Sequence, residues 1–72
     1  MLLDIAQDYL DNHGDNLLDA AEAFTLALIG GDPTKEGGYS LDNAILATID
    51  AFQLTPRDTI LLTTRLAVRA VE

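Results

Sequence analysis

The sequence contains no cysteine and only one histidine, so the side chains most often used for catalysis and metal binding are almost missing. Without cysteine there is no disulfide framework, and at 72 residues a lone hydrophobic core is marginal. A glycine-rich phosphate loop ending in Gly-Lys-Ser or Gly-Lys-Thr is also missing. We therefore expect a protein that is not an enzyme and that needs no cofactor or metal.

Basic residues are scarce as well. Four Lys and Arg stand against 12 Asp and Glu, which gives a net charge of -8. Residues 1–32 contain seven of the acids and no Lys or Arg. Such a surface repels phosphate backbones and anionic lipids, so we expect no direct binding to nucleic acid or membranes. A protein partner with a basic surface is the natural complement.

The sequence has no apolar run of the roughly 18 to 20 residues needed to cross a bilayer, and its N-terminus lacks the basic region of a signal peptide. A hydrophobic content of 49% is too high for a disordered chain. We expect residues 1–72 to form a single helical domain in the cytoplasm.

Residues 2–29 show two side-chain stripes at the helical period. One stripe is apolar and includes His13; the other is acidic. Because both stripes keep their phase across Gly14, they predict one continuous helix, roughly 42 Å long. The competing interpretation breaks the helix at His13-Gly14 and restarts it with Asp15 as N-cap, since glycine in a helix interior costs about 1 kcal/mol. The acidic stripe consists of Asp4, Asp8, Asp11, Asp15, Asp19 and Glu22.

Two shorter helices are predicted after a glycine-rich loop at residues 30–39. Ser40 is a suitable N-cap for a helix over 41–53. Thr55-Pro56, with Asp58 completing a capping box, starts a helix over 56–71. The predicted fold is all-α: a long N-terminal helix plus a two-helix hairpin.

The last predicted helix has two apolar faces, of which one chain can easily cover only one. One face has Ile60, Leu61, Ala67, Val68 and Val71; the other has Leu62, Leu66 and Ala70. An uncovered apolar patch usually marks an interface, so we predict a homodimer, although a different partner protein would leave the same pattern. The predicted dimer interface consists of Leu26, Ile29, Leu62, Leu66 and Ala70.

The acidic stripe has three interpretations. It can be a solvated face that keeps the protein soluble. It can imitate a phosphate backbone and occupy the basic groove of a nucleic-acid-binding protein. It can also pair with Arg65 and Arg69, within the chain or across a dimer. The hypothesis we adopt is partner binding through the six acidic residues.

Two alternatives belong to other functional classes. The windows 11–22 and 32–43 partly match a calcium-binding EF-hand loop, but Asn16 and Asn43 replace residues that the loop geometry needs. In GGYSLDNAI, Ser40 before a helix resembles the phosphopantetheine attachment turn of acyl carrier proteins, with Tyr39 where that family has Asp. These patterns leave a carrier-like or calcium-binding helical module as the alternative.

The sequence therefore predicts a small acidic helical protein that inhibits or adapts a partner with a basic surface. In physical type it is comparable with phage antagonists such as anti-CRISPR, anti-restriction and transcription-factor inhibitors that act by nucleic-acid mimicry.

Overall fold

Four α-helices account for most of residues 2–30 and 39–71, which are the residues described by a computed structural model of the chain. The helices are α1 (Leu2–Asn12), α2 (Leu17–Gly30), α3 (Leu41–Phe52) and α4 (Pro56–Ala70), and no strand occurs in these two ranges. The predicted all-α class is confirmed. The predicted number of helices is wrong, because residues 2–29 form two helices and not one.

The first helix ends because Gly14 and Asp15 adopt the left-handed conformation, with φ of 64° and 61°. The Asp15 N–H donates to the carbonyl of Leu10 at 2.9 Å, the six-to-one bond of a Schellman-type ending. Asn16 then starts α2, since its side-chain oxygen accepts from the Asp19 N–H at 3.1 Å. The N-cap is therefore Asn16, one residue beyond the Asp15 of the competing interpretation.

Ring packing shows that the chain turns back at this point. The ring centroids of Tyr9 and Phe24 lie 5.6 Å apart in an edge-on arrangement. In a continuous helix these residues would be separated by roughly 22 Å of axial rise. The two stripes looked continuous in the sequence because the turn contains four residues. At 3.6 residues per helical turn, four residues add about one full turn, so the side chains before and after the break fall at nearly the same angles on a helical projection.

The later helices follow the predicted bounds closely. Ser40 caps α3 by accepting from the Asn43 N–H at 3.3 Å, and α3 ends at Gln53, which has a φ of 54°. Thr55 accepts from the Asp58 N–H at 3.1 Å, and Asp58 accepts in return from the Thr55 N–H, so the predicted capping box is present. Of the predicted loop 30–39, residues 31–38 lie outside the described residues.

The core centres on α2, which packs against each of the other three helices. Its buried residues Ala20, Ala21 and Phe24 belong to one cluster with apolar side chains of the other helices. Phe24 also contacts Phe52 edge-on, with ring centroids 5.3 Å apart. α4 packs chiefly on α2, so the last two helices do not form a separate hairpin beside a rod.

A pair of buried hydroxyl groups links α2 to α3. The oxygens of Thr25 and Thr48 lie 2.7 Å apart, and both residues are fully buried. Each hydroxyl also lies within hydrogen-bonding distance of a carbonyl in its own helix, that of Ala21 at 2.8 Å and that of Ala44 at 2.7 Å. Two hydroxyl protons face three contacts, so only two of the contacts are hydrogen bonds at any moment, and either hydroxyl can be the donor across the helix boundary.

Candidate functional site

The turn divides the predicted acidic stripe into two groups. Asp4, Asp8 and Asp11 lie on one face of α1, and Asp15 lies in the turn. The other two members, Asp19 and Glu22, belong to α2. The six residues therefore do not form one row along a rigid rod.

The α2 group is paired with arginines of α4. Nη1 of Arg65 lies 2.6 Å from a carboxylate oxygen of Asp19 and 3.5 Å from one of Glu22. Arg69 donates from Nε and Nη2 to the same Glu22 oxygen, at 2.9 and 2.8 Å. The hydrogen bond to Asp19 is the main cause that raises the pKa of Arg65 above its usual value. Pairing within the chain, one of the three interpretations of the stripe, is therefore confirmed for Asp19 and Glu22.

The remaining group forms what we call the acidic patch: Asp4, Asp8, Asp11 and Asp15. All four residues are exposed. Asp11 accepts a hydrogen bond from the Gln7 amide at 2.9 Å. Among residues 2–30 and 39–71, no basic side chain forms an ion pair with any member of the patch. The patch therefore keeps its negative charge on the surface of the described protein.

His13 lies exposed in the turn and not in the core. Its ring is nearly parallel to that of Tyr9, at a centroid distance of 6.3 Å. It borders an open groove of about 240 Å³ whose polar walls are the paired Asp19, Glu22 and Arg69. Because Arg65 and Arg69 already pair with these two carboxylates, the groove offers little to a charged ligand.

The residues of the predicted dimer interface do not form one surface. Leu62 and Leu66 are buried in the core of their own chain, and Leu26 packs partly against that core. Ile29 is half-buried and Ala70 is exposed. The rotation of α4 explains the difference: Leu62 and Leu66 face the core, while Arg65 and Arg69 lie beside the α2 carboxylates. Assembly as a homodimer stays a prediction.

The other apolar side of α4 faces solvent. It is the first of the two apolar faces recognised in the sequence, whereas the predicted dimer interface contains Leu62, Leu66 and Ala70 of the other. We call it the outer face of α4, and each of its residues is exposed: Ile60, Leu61, Thr64, Ala67, Val68 and Val71.

The two alternative functions, a carrier-like module and a calcium-binding module, depend on Ser40 and on two acidic windows. The exposed Ser40 side chain serves as the N-cap of α3. Within the described ranges, no three His, Asp or Glu side chains converge as metal ligands would. Most of the second calcium window, 32–43, lies outside those ranges.

None of the four helices is both long and apolar enough to span a bilayer. Comparison of the chain with protein-family models, with curated proteins and with solved structures finds no match.

Proposed function

We propose that this chain is a protein-binding protein without chemistry of its own, which inhibits or adapts a partner with a basic surface. The acidic patch is the proposed contact. The observation behind the proposal is the division of the stripe: two of its acids are neutralised by arginines of the same chain, whereas Asp4, Asp8 and Asp11 form an exposed row on α1.

Helix stability accounts for only part of this row: Asp4 lies in the first turn of α1, where the helix dipole favours a negative charge, and Asp11 accepts a hydrogen bond from Gln7. Carboxylates three or four positions apart on a helix repel each other by about 0.2 to 0.5 kcal/mol per pair. Asp8 stands in such a relation to both Asp4 and Asp11. An arrangement that weakens α1 is favourable if its charges are neutralised by a partner.

The dimensions of the row limit the partner surface it can cover. From Asp4 to Asp11 the helix rises by roughly 10 Å, about 5 Å between successive charges. Phosphates along one strand of duplex DNA follow each other at about 3.4 Å of axial rise. The patch therefore suits a small cluster of Lys and Arg side chains. An antagonist that occupies the phosphate-binding groove of a nucleic-acid-binding protein would cover only a few phosphate positions.

The test compares two double variants that change the net charge equally. Asp8→Asn with Asp11→Asn removes charge from the acidic patch. Asp42→Asn with Asp50→Asn removes the same charge from α3, where both residues are also exposed. Proteins captured from a lysate of the native host by the unchanged chain and by each double variant are quantified by mass spectrometry, and a protein that depends on the patch is then purified for calorimetry.

We expect the unchanged chain and the α3 variant to retain one basic protein. The same protein should bind the patch variant about tenfold more weakly, a loss of about 1.4 kcal/mol in binding free energy. Its binding should also weaken with added salt, because exposed charges are screened over about 8 Å at physiological ionic strength. Equal capture by both variants would show that the patch only keeps the protein soluble.

A further inference from the structure

The outer face of α4 leaves large apolar side chains in water. Ile60 is 64% exposed, Val68 52% and Val71 85%. These residues share one side of the helix because they lie three, eight and eleven positions apart. Exposed apolar side chains grouped in this way mark a surface that another molecule covers.

The charge around this face distinguishes it from the rest of the surface. None of the described residues that form the outer face of α4 has a carboxylate. Arg57 lies on the same side of the helix, at its start. Two copies of a chain with a net charge of -8 repel each other over most of their surfaces. On the outer face of α4 this repulsion is reduced, because the carboxylate beside it, Glu22, is paired with Arg65 and Arg69.

The order of residues along the face is complementary to itself. When two copies of α4 run antiparallel with Thr64 opposite Thr64, Ile60 lies opposite the partner's Val68, and Leu61 opposite the partner's Ala67. Arg57 then lies beside the C-terminal end of the partner helix, where the carbonyl groups have a negative partial charge. A parallel pair would instead place arginine against arginine.

We infer that a second copy of this chain covers the outer face of α4, with the two helices antiparallel across a two-fold axis at Thr64. The ion pairs of Arg65 and Arg69 with α2 form the polar rim of this interface. Beside Val68 lies an open groove of about 300 Å³, lined also by Thr64 and by the paired Glu22, Arg65 and Arg69, so the rim is polar but its charges are partnered.

The interface is small. Two 15-residue helices in contact bury less than the roughly 800 Å² per partner of a standard interface. Self-association is therefore expected only at micromolar or higher concentration. Because both copies are acidic, added salt should strengthen it by screening their repulsion, whereas salt weakens binding through the acidic patch. The inference goes beyond the proposed function, and the opposite salt dependences separate the two.

Sedimentation velocity from micromolar to millimolar concentration, at low and high salt, tests the inference. The mass should rise from 7.7 kDa toward twice that value, and should rise further at high salt. Ile60→Glu should abolish the rise. Leu46→Glu on α3 is the matched control, because Leu46 is 63% exposed and the charge change is identical, and it should leave the association intact.

A cysteine scan tests the arrangement directly, since the chain has no other thiol. Thr64→Cys should oxidise to a covalent dimer much faster than Leu46→Cys, because only the former places two sulfurs within bonding distance across the axis. A wild-type chain that stays monomeric at millimolar concentration and high salt, or a dimer lost equally in both glutamate variants, would overturn the inference. Equal oxidation rates of the two cysteine variants would do the same.

Discussion

Gly14 has a backbone conformation that L side chains rarely adopt. Its φ of 64° allows α1 to end and the chain to turn toward α2. A Cβ atom added at this position would meet no heavy atom within 4 Å. The effect of a substitution at Gly14 is therefore a matter of backbone conformation and not of crowding.

Gly14→Ala should destabilise the fold by about 1 kcal/mol, because alanine is disfavoured at positive φ. Gly30→Ala is the control, since Gly30 is the last residue of α2 and also has open space at its Cβ position. In a helical conformation alanine is favoured, so this variant should be neutral or more stable by up to about 1 kcal/mol. Urea unfolding measures both. A Gly14→Ala variant as stable as the parent would contradict the turn at Gly14 and favour one continuous helix.

The residue types in the turn indicated a helix end and a new helix start, although the helical periodicity indicated one continuous helix. Gly14 is suited to end a helix, and Asn16 is a favoured N-cap for the helix that follows. The break was the less favoured interpretation of the sequence, because a four-residue turn and a continuing helix give almost the same stripe. Local residue chemistry was the better guide at this point.

Among the helices, the contact between α2 and α3 includes the paired hydroxyls of Thr25 and Thr48. Either threonine alone can still donate to a carbonyl of its own helix. Replacing one of them therefore removes the bond between helices and leaves a hydroxyl facing a methyl group. Replacing both removes the polar pair and leaves an apolar contact.

Thr25→Val and Thr48→Val should each cost about 1 kcal/mol, and the double variant should cost clearly less than their sum. Thr63→Val serves as control, since its hydroxyl bonds only to the Ile60 carbonyl of its own helix, and it should change stability by no more than about 0.5 kcal/mol. Denaturant titration of the four variants gives the coupling energy. Additive effects of the two substitutions would refute a direct bond between the hydroxyls.

The composition of the helices also shows what could be predicted about packing. Residues 17–30 are almost entirely apolar apart from Asp19 and Glu22, as expected of a helix surrounded by others. Leu26 and Ile29, read as interface residues, are explained in part by this central position. The rotation of α4 could not be predicted, because both of its faces carry apolar side chains and the sequence does not show which helix it meets; in the structure Leu62 and Leu66 are buried, and Arg65 and Arg69 pair with carboxylates of α2.

For the molecule as a whole, the structure changes which residues belong to the two surfaces that the sequence indicated. The sequence indicated both an acidic stripe and an interface involving α4. It could not show that Asp19 and Glu22 are already neutralised, since that depends on which helices meet. The described residues instead have an acidic patch on α1 and an apolar face on α4.

The central position of α2 has a consequence for how the protein opens. An amide proton exchanges with solvent only when its hydrogen bond breaks, and locally exposed helices can open without the rest. α1 and α4 can each detach while α2 stays covered on other sides, whereas the amides around Phe24 and Thr25 become accessible only when the whole structure is lost. Hydrogen exchange followed by NMR should therefore find its slowest amides in α2, with rates that match global unfolding. Equally slow amides throughout α1 and α4 would mean that the four helices open only together.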